Sequence, residues 1–241
     1  IEAPVDGFAA FVAELHQQDL QGLNVTSPFK TEAFDLSESL SERATFAAAV
    51  NTLIRTETGW QGDNTDGIGL IDDLHAVLDD ELSDMHILIL GAGGSVQGIV
   101  PALLEQQPAS IHIANRTADK ATALAEQYQL ETITGSGLSH KFSQMYDILI
   151  NATAAGIADD LPKLEHTPLI SSCCYDLFYA AKPTAFLQWG KQQFGNKIKF
   201  SDGLGMLVRQ AAASYELWRE TYISDELIDT VLQELRPQLV D

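Results

Sequence analysis

The sequence feature that most limits the possible folds is a short apolar run that ends in a glycine-rich turn. Residues His86–Leu90 read HILIL, as expected of a parallel strand that is buried on both faces of a sheet. The run leads into Gly91-Ala92-Gly93-Gly94-Ser95, and residues 96–106 have a helical pattern. Glycines at such a turn let backbone N–H groups approach a pyrophosphate at a helix N-terminus. The pattern favours a dinucleotide site; because Val96 replaces the usual third Gly or Ala, a plain strand–turn–helix remains an alternative.

Strand-like and helical segments alternate after this turn. Short apolar runs indicate further strands, and apolar residues at helical spacing separate them. The predicted strands lie at residues 110–114, 147–151 and 173–177, and the predicted helices at 118–128 and 183–193. Such alternation is typical of an open, mostly parallel sheet that is wound with helices. The sequence therefore predicts an α/β fold with a Rossmann-type domain in the middle of the chain.

The segments on either side of this region indicate a second domain. The N-terminal part is predicted to contain strands, helices and polar turns: helices at 4–20, 38–48 and 67–78, strands at 23–26 and 50–55, a turn at Gly59 and a polar run at 62–67. From residue 204 to the end the pattern is again helical. We therefore predict a substrate domain of residues 1–66 plus 203–241, into which a nucleotide domain of residues 67–202 is inserted.

The end of the strand at 110–114 bears on the choice of dinucleotide. Binders of NAD normally carry an acidic residue there, which accepts a hydrogen bond from the ribose 2′-OH. Here the strand ends in Asn115-Arg116-Thr117, with Lys120 one turn into the helix. An acidic residue would repel a 2′-phosphate, whereas Arg116 can hold it through two parallel hydrogen bonds and Lys120 adds a second cation. The sequence favours NADP over NAD, with a merely solvated helix start as the alternative.

The charge of the chain bears on its partners. Its 241 residues carry 34 Asp and Glu against 14 Lys and Arg, a formal net charge of −20. Nucleic acids and anionic membranes repel such a surface, so we expect a small-molecule substrate and neither of these partners. No apolar run is long enough to span a bilayer, and no signal peptide is evident. Cys173 and Cys174 are adjacent, which gives no disulfide framework and no metal spacing and predicts a reducing, cytoplasmic setting.

Three clusters of short polar residues lie at predicted strand ends or turns of the other domain. They read NVTSPFK at 24–30, AVNT at 49–52 and GDNTDG at 62–67. Taken singly, each could be turn chemistry, because Asn, Asp and Thr readily bond to their own backbone. Lys30 and Asp66, however, form a sensible acid–base pair beside a hydride-transfer cofactor. Reducing a ketone requires a proton at the developing alkoxide, and an ammonium held by a carboxylate can supply it.

The motifs together resemble the shikimate dehydrogenase family over nearly the whole chain. Eight motifs follow the family's order at compatible spacing, which is far more specific than any one of them. Besides the three polar clusters they read GAGGS, NRT, NAT, YDLFY and DGLGMLVRQA, at residues 91–95, 115–117, 151–153, 175–179 and 202–211. The resemblance implies NADPH-dependent, reversible reduction of 3-dehydroshikimate to shikimate in chorismate and aromatic amino acid biosynthesis, by a monomer or homodimer.

The resemblance also assigns roles residue by residue. Lys30 and Asp66 fall on the family's catalytic pair. The positions that bind the substrate's ring hydroxyls or lie near its carboxylate are Thr26, Asn51, Asp66, Tyr179 and Gln210, whereas Asn24 is expected to shape its loop. The cofactor positions are Gly91, Gly93, Gly94 and Ser95 at the turn, Asn115, Arg116, Thr117 and Lys120 after the next strand, and Gly203 and Met206 near the nicotinamide.

One departure from the family accompanies this interpretation. The family's S-K-S-P-type loop, whose serines hold the substrate carboxylate, has no match here, so about 30 residues of the family pattern are expected to be missing before Ile1. The chain is therefore expected to bind NADP but to have little activity on shikimate. Two alternatives remain: an NAD-using quinate/shikimate dehydrogenase, which Arg116 and Lys120 disfavour, and a non-catalytic NADP-binding relative, which the Lys30–Asp66 pair disfavours.

Overall fold

Four short strands in the N-terminal part form one sheet. The structure, a computed structural model, describes residues 1–4, 6–18, 20–153 and 161–238. The strands lie in the order β1-β3-β4-β2 and are β1 (Gly22–Asn24), β2 (Ser39–Leu40), β3 (Thr52–Arg55) and β4 (Trp60–Asp63). The β1–β3 and β3–β4 pairs are antiparallel, and β2 pairs with β4 in parallel. Asn24 at the end of β1 and Asp63 at the end of β4 thus lie on either side of the start of β3.

One local prediction for this part is confirmed and another is wrong at its start. The predicted turn at Gly59 is confirmed, because the Thr56 N–H donates to the Gly59 carbonyl and closes a hairpin that returns the chain along β3. The polar run at 62–67 begins inside β4. The predicted helix at 38–48 starts later, since β2 occupies its first residues. Helix α3 (Glu42–Ala47) begins after Ser41, whose hydroxyl accepts from the N–H of Ala44.

Three helices pack around this sheet. They are α1 (Phe8–Gln17), α2 (Lys30–Leu36), which was not predicted, and α3. The Phe8 and Phe29 rings stack with centroids 4.6 Å apart in a core that also contains Leu53 and Trp60. Helix α1 is shorter than the predicted 4–20, and residues 5 and 19 of that prediction lie outside the described part.

Six parallel strands form a second sheet and confirm the α/β class. They lie in the order β10-β9-β8-β5-β6-β7 and are β5 (His86–Leu90), β6 (Ser110–Asn115), β7 (Ile133–Gly137), β8 (Met145–Asn151), β9 (Leu169–Asp176) and β10 (Lys199–Asp202). The chain builds outward from β5 to β7 and then crosses back to β8, so the strand order reverses between β5 and β8. In such sheets a ligand crevice lies outside the carboxyl ends of the strands at this reversal. Strands β7 and β10 were not predicted, because each is short and half polar.

Helices cover both faces of the six-stranded sheet. On one face α5 (Gly94–Glu105) and α6 (Ala118–Glu126) bury Ile87, Ile111 and Ile148. On the other face α7 (Ala185–Phe194) buries Leu88 and Cys174. Both faces of β5 are therefore apolar, which explains its near-continuous apolar sequence.

Two long helices join the two sheets. Helix α4 (Asp66–Leu78) packs against α5 and against α8 (Leu204–Arg219), and α9 (Asp225–Gln238) follows on the outside. Buried polar groups tie these elements together: the Tyr175 hydroxyl donates to Asp73 over 2.5 Å, and Arg209 lies 3.5 Å from the same carboxylate. Burial raises the pKa of Asp73. The helical prediction after residue 204 is confirmed as far as residue 238; residues 239–241 lie outside the described part. None of the described helices is both long and apolar enough to cross a membrane.

Candidate active site

Lys30 and Asp66 come together at the start of two helices. Each is the first residue of its helix, α2 or α4, and the Lys30 ammonium lies 2.5 Å from Oδ2 of Asp66. Asp66 lies in the first turn of α4, where the helix dipole favours a negative charge. The two side chains are 18% and 9% exposed, so the pair is largely shielded from water but open on one side. The structure thus joins the two residues predicted to act as a pair.

Asn51 holds the other oxygen of the Asp66 carboxylate. Its amide nitrogen Nδ2 donates to Oδ1 of Asp66 over 2.8 Å. The orientation of the amide follows from its other end, because Oδ1 of Asn51 accepts from the backbone N–H of Thr65 over 2.9 Å, and a backbone nitrogen can only donate. The Asn51 backbone is itself fixed from both sides by bonds to Val25 and Asp63. Asp66 is therefore held by a cation at one oxygen and by a fixed amide at the other.

Gln210 reaches the same cluster from helix α8. Its Oε1 accepts from Nδ2 of Asn51 over 3.2 Å, and its Nε2 donates to the Leu207 carbonyl over 2.9 Å. Thr26 and Tyr179 stand apart, since no hydrogen bond among the described residues joins either of them to the catalytic pair. Thr26 is exposed, and Tyr179 is half-buried with its ring stacked on Phe178.

The sequence analysis did not single out Thr52, Thr65 and Ser214. The hydroxyls of these fully buried residues lie within 3.4 Å of one another and adjoin Asn51. Ser214 stands four residues after Gln210 on α8, and that spacing places both on one face of the helix. The spacing was the available signal for Ser214. Asn24, expected to shape its loop, donates to Ser214 over 2.9 Å.

Helix α5 of the six-stranded sheet touches the pair directly. A Cβ placed on Gly98 would lie 3.2 Å from Oδ2 of Asp66, the oxygen that faces Lys30. One turn further along α5, Ala102 lies against Gly67 of α4. The small residues at both points allow α5 to pack closely on α4. The acid–base pair consequently lies beside the helix that starts at the glycine-rich turn.

The glycine-rich turn combines a left-handed backbone at its start with small residues at the N-terminus of α5. Gly91 has φ of +117°, and a Cβ there would lie 2.8 Å from the Ala152 carbonyl, so this position needs glycine. Gly93 caps α5 and Gly94 is its first residue, and a Cβ on either would meet no atom of the described residues within 4 Å. As far as the described part of the chain shows, the space beside these two glycines is therefore open. Ser95 follows in the first turn of the same helix.

The two predicted cations lie at the end of the neighbouring strand. In the sheet register Leu90 pairs with Ala114, so Arg116 and Lys120 lie on the same edge as the Gly91 turn. Both are exposed, and no described carboxylate lies within ion-pair distance of either. The loop before α6 is held by Asn115, whose amide donates to the Thr117 carbonyl over 2.9 Å.

The ends of β9 and β10 lie on the other side of the point where the strand order reverses. Gly203 follows β10, and a Cβ on it would lie 2.1 Å from the Leu177 carbonyl, so the two strand ends approach as closely as glycine allows. Met206, one turn into α8, is half-buried. Asp176 at the end of β9 accepts from Asn151 and Thr184 over 2.9 and 2.6 Å, which braces this edge. Burial raises the pKa of Asp176.

The fold and site together define a class of protein. The strand order, the glycine turn at a helix N-terminus and the open edge are those of α/β proteins that bind dinucleotides. The adjacent ammonium–carboxylate pair supplies an acid beside that crevice, which is what reduction of a carbonyl requires. The class is that of dinucleotide-dependent α/β oxidoreductases.

Comparison with known families matches three parts of the chain. The model described as shikimate/quinate 5-dehydrogenase matches residues 73–158. The shikimate dehydrogenase substrate binding domain matches residues 1–53, and the shikimate 5′-dehydrogenase C-terminal domain matches residues 203–232. Together the three matches cover most of the chain.

Individual relatives agree with these matches. The shikimate dehydrogenase (NADP⁺) of Cellvibrio japonicus is 44% identical over 98% of this chain and 84% of its own length, and that of Chromohalobacter salexigens is 48% identical over 91% and 80%. Among solved structures, shikimate 5-dehydrogenase from Thermus thermophilus in complex with NADP(H) and shikimate has a TM-score of 0.79 at 28% identity, over 96% of this chain and 85% of that one. The chain belongs to the shikimate dehydrogenase family.

Proposed function

We propose that this chain is an NADP-dependent shikimate dehydrogenase, which reversibly reduces 3-dehydroshikimate to shikimate on the route to chorismate and the aromatic amino acids. The observation that carries this proposal is the Lys30–Asp66 pair beside the dinucleotide crevice, in a chain of this family. The relatives at 40–48% identity bear the same name, and the matched structure from Thermus thermophilus was solved with both NADP(H) and shikimate.

The pair accounts for the proton chemistry of the reaction. NADPH, when bound, supplies a hydride to the ketone carbon. As charge develops on the ketone oxygen, Lys30 donates a hydrogen bond or a proton to it. A lysine ammonium has three N–H donors, so donation to Asp66 leaves others for the substrate. Asp66 accepts from Lys30 and Asn51 at its two oxygens and so fixes where the ammonium points.

The substrate would be held by side chains around this pair. Asn51 and Gln210 are already joined to Asp66 by hydrogen bonds, which supports a role for both in binding the ring hydroxyls. For Thr26 the support is its place on the exposed loop that leads into Lys30. For Tyr179 it is the position just past β9, at the carboxyl edge of the sheet.

The cofactor would lie along the carboxyl edge of the six-stranded sheet. The open space at Gly93 and Gly94 supports a pyrophosphate at the N-terminus of α5, with Gly91 and Ser95 completing the turn. The four residues proposed for the 2′-phosphate end are Asn115, Arg116, Thr117 and Lys120, of which two are cations without a described ion-pair partner. Gly203 and Met206 would border the nicotinamide, where the ends of β9 and β10 approach closely.

The two sheets support the proposed division into domains. All strands of the four-stranded sheet fall before residue 66, and all strands of the six-stranded sheet fall within 67–202. We assign residues 1–66 and 203–241 to substrate binding and residues 67–202 to NADP binding. Helices α4 and α8, which pack against each other, would then form the contact between the two domains.

Two alternatives differ from this proposal in measurable ways. A quinate/shikimate dehydrogenase would use NAD and accept 3-dehydroquinate; the family description that includes quinate keeps this alternative open. Exposed cations at Arg116 and Lys120 favour NADP instead. A non-catalytic NADP-binding relative would bind the cofactor without turnover, but it would have no need for an ammonium–carboxylate pair at the crevice.

Oxidation of NADPH by the chain with 3-dehydroshikimate tests the proposal. Rates are compared with NADH, with 3-dehydroquinate, and with the Lys30→Ala variant, while cofactor binding is followed by NADPH fluorescence. We expect a rate above that of Lys30→Ala, higher with NADPH than with NADH and higher with 3-dehydroshikimate than with 3-dehydroquinate. The Lys30→Ala background makes even a low rate informative. NADPH binding with a rate equal to that background would contradict the proposal.

A further inference from the structure

The hydroxyl of Ser214 stands at the centre of a buried polar cluster. Ser214 lies on α8 with no exposed surface. Its Oγ lies 2.8 Å from the Thr52 hydroxyl, 3.1 Å from the Thr65 hydroxyl and 2.9 Å from the amide nitrogen of Asn24. The Gln210 carbonyl, one turn earlier on α8, is 3.0 Å away. One small side chain thus connects α8 to β1, to β3 and to the residue before α4.

One arrangement of protons satisfies every group of this cluster. Asn24 and the Thr65 hydroxyl donate to Ser214, which uses both of its lone pairs. Ser214 in turn donates to the Thr52 hydroxyl, with the Gln210 carbonyl as a second acceptor within reach. Thr52 then donates to Oδ1 of Asn51 over 2.8 Å. In this arrangement no buried hydroxyl of the cluster lacks a partner, and leaving one unsatisfied would be costly.

The arrangement ends on the amide that holds the catalytic carboxylate. Oδ1 of Asn51 accepts from Thr52 and from the Thr65 backbone, so Nδ2 must face Thr65 Oγ1 and Asp66. The Ser214 hydroxyl is both the donor to Thr52 and the acceptor for Thr65 in this arrangement. Without it, the Thr52 and Thr65 hydroxyls could rotate and form different hydrogen bonds with Asn51. The Thr65 N–H sets which end of the Asn51 amide faces Asp66, and Ser214 holds in place the Thr52 and Thr65 hydroxyls that contact this amide, although Ser214 and Asn51 share no hydrogen bond.

We propose that Ser214 is a positioning residue for the catalytic pair, acting from α8 through Thr52, Thr65 and Asn51 on Asp66. This inference rests on the proposed function of the Lys30–Asp66 pair. A serine inside a helix often bonds only to the carbonyl four residues earlier, and that bond alone would make Ser214 purely structural. The Ser214 hydroxyl makes three further contacts, with Asn24, Thr52 and Thr65 of the N-terminal part of the chain, and these contacts point to the positioning role.

The test is the effect of Ser214→Ala on the separate kinetic constants. We expect kcat with 3-dehydroshikimate to fall about 10-fold, since small misplacements of a catalytic group cost rate steeply, with the KM for NADPH unchanged. The matched control is Ser37→Ala, which removes a hydroxyl that donates to the Ala33 carbonyl over 2.7 Å, in the same domain but with no link to Asn51. This control should keep the native kcat. Should Ser214→Ala fail to fold, the similar-sized Ser214→Cys takes its place, because a thiol is a weak acceptor for Thr65 and Asn24.

A double-mutant cycle separates positioning from general destabilisation. If Ser214 acts through Asn51, then Ser214→Ala made in an Asn51→Ala background should lower kcat less than 2-fold further, because the link is already broken. A native kcat in Ser214→Ala, or the full 10-fold loss persisting without Asn51, would overturn the inference. Absence of Lys30-dependent turnover in the unsubstituted chain would instead count against the proposed function itself.

Discussion

Gly98 lies so close to Asp66 that a single methyl group on it would touch the Asp66 carboxylate. A Cβ on Gly98 would lie 3.2 Å from Oδ2 of Asp66, closer than an ordinary van der Waals contact. Gly98 belongs to α5, whose first turn carries the proposed pyrophosphate site, and Asp66 begins α4. The helix proposed to receive the cofactor is thus in direct contact with the residue proposed to orient Lys30.

Gly98→Ala is expected to lower kcat about 10-fold, because either Oδ2 or α5 must shift by a few tenths of an ångström at the atom that pairs with Lys30. Stability should change little, since alanine is the better helix former and offsets the crowding. Gly190→Ala is the matched control. Gly190 lies in α7, away from the Lys30–Asp66 pair, and a Cβ there would lie 3.0 Å from the Phe200 ring of β10. Steady-state kinetics of both variants check this. Equal losses of kcat in the two would show that the contact with Asp66 has no special effect.

Much of the fold was predictable because its strands carry strong local patterns. Strand β5 was located to the residue from its apolar run, and the α/β class followed from the alternation after it. Strands β4 and β7 were missed for a physical reason. They read WQGD and ITGSG, and such short glycine-containing segments become strands only through pairing with β3 and β6. The partner of β7 lies beyond helix α6 in the sequence, and that of β4 lies across a hairpin, so the pattern within either short segment does not indicate a strand.

Arg116→Asp is expected to weaken NADP binding. The difference in binding free energy that favours NADP over NAD should narrow by about 1–3 kcal/mol, the contribution of a charge-assisted hydrogen-bonded pair. The new carboxylate would repel the 2′-phosphate and could accept from the 2′-OH of NAD instead. Arg219→Asp, an equal change of charge on the exposed end of α8, serves as the control. Titration of both cofactors measures the ratio of affinities. An unchanged ratio in Arg116→Asp would place the 2′-phosphate elsewhere.

His112 is buried beneath a cleft of about 490 Å³ beside β6 and β7, and several serine and threonine hydroxyls line this cleft. One ring nitrogen lies 2.7 Å from the Ser136 hydroxyl and the other 2.9 Å from that of Thr134. The His140 ring stacks on it with centroids 4.9 Å apart. Burial, and secondarily the charge of His140, lowers the pKa of His112 to about 4.

The lowered pKa of His112 predicts a loss of stability in mild acid. The unfolded chain takes up a proton at this ring near pH 6.5, whereas the folded chain does so only near pH 4. The free energy of unfolding should therefore fall as the pH drops from 6.5 to 4, by about 1–2 kcal/mol after allowance for solvent in the cleft. Urea unfolding at several pH values measures this slope. His112→Gln should flatten it and exposed His166→Gln should not; an equally steep slope in His112→Gln would contradict the prediction.

The candidate site was predictable only in part. Lys30, Asn51, Asp66 and Gln210 carry the motifs by which the chain resembles its family, and hydrogen bonds bring these four together. Ser214 lies in no motif, and its contacts with Asn24 and Thr52 join residues 190 and 162 positions apart. Gly98 could be recognised as close to Asp66 only once the crossing of α4 and α5 was known. The helical spacing from Gln210 could have indicated the face on which Ser214 lies, but the contacts of both residues depend on tertiary packing.

The most direct test of the central claim is the kcat of Lys30→Ala, measured beside the unsubstituted chain with 3-dehydroshikimate and NADPH. Removing the ammonium that lies 2.5 Å from Asp66 removes the group proposed to protonate or stabilise the developing alkoxide. We expect kcat to fall about 100-fold or more while KM changes less, the scale of losing a general acid. NADPH fluorescence should show unaltered cofactor binding, because Lys30 lies in the N-terminal part with the four-stranded sheet and the proposed cofactor site lies on the six-stranded sheet. A near-native kcat in this variant would contradict the account and remove Lys30 from the mechanism.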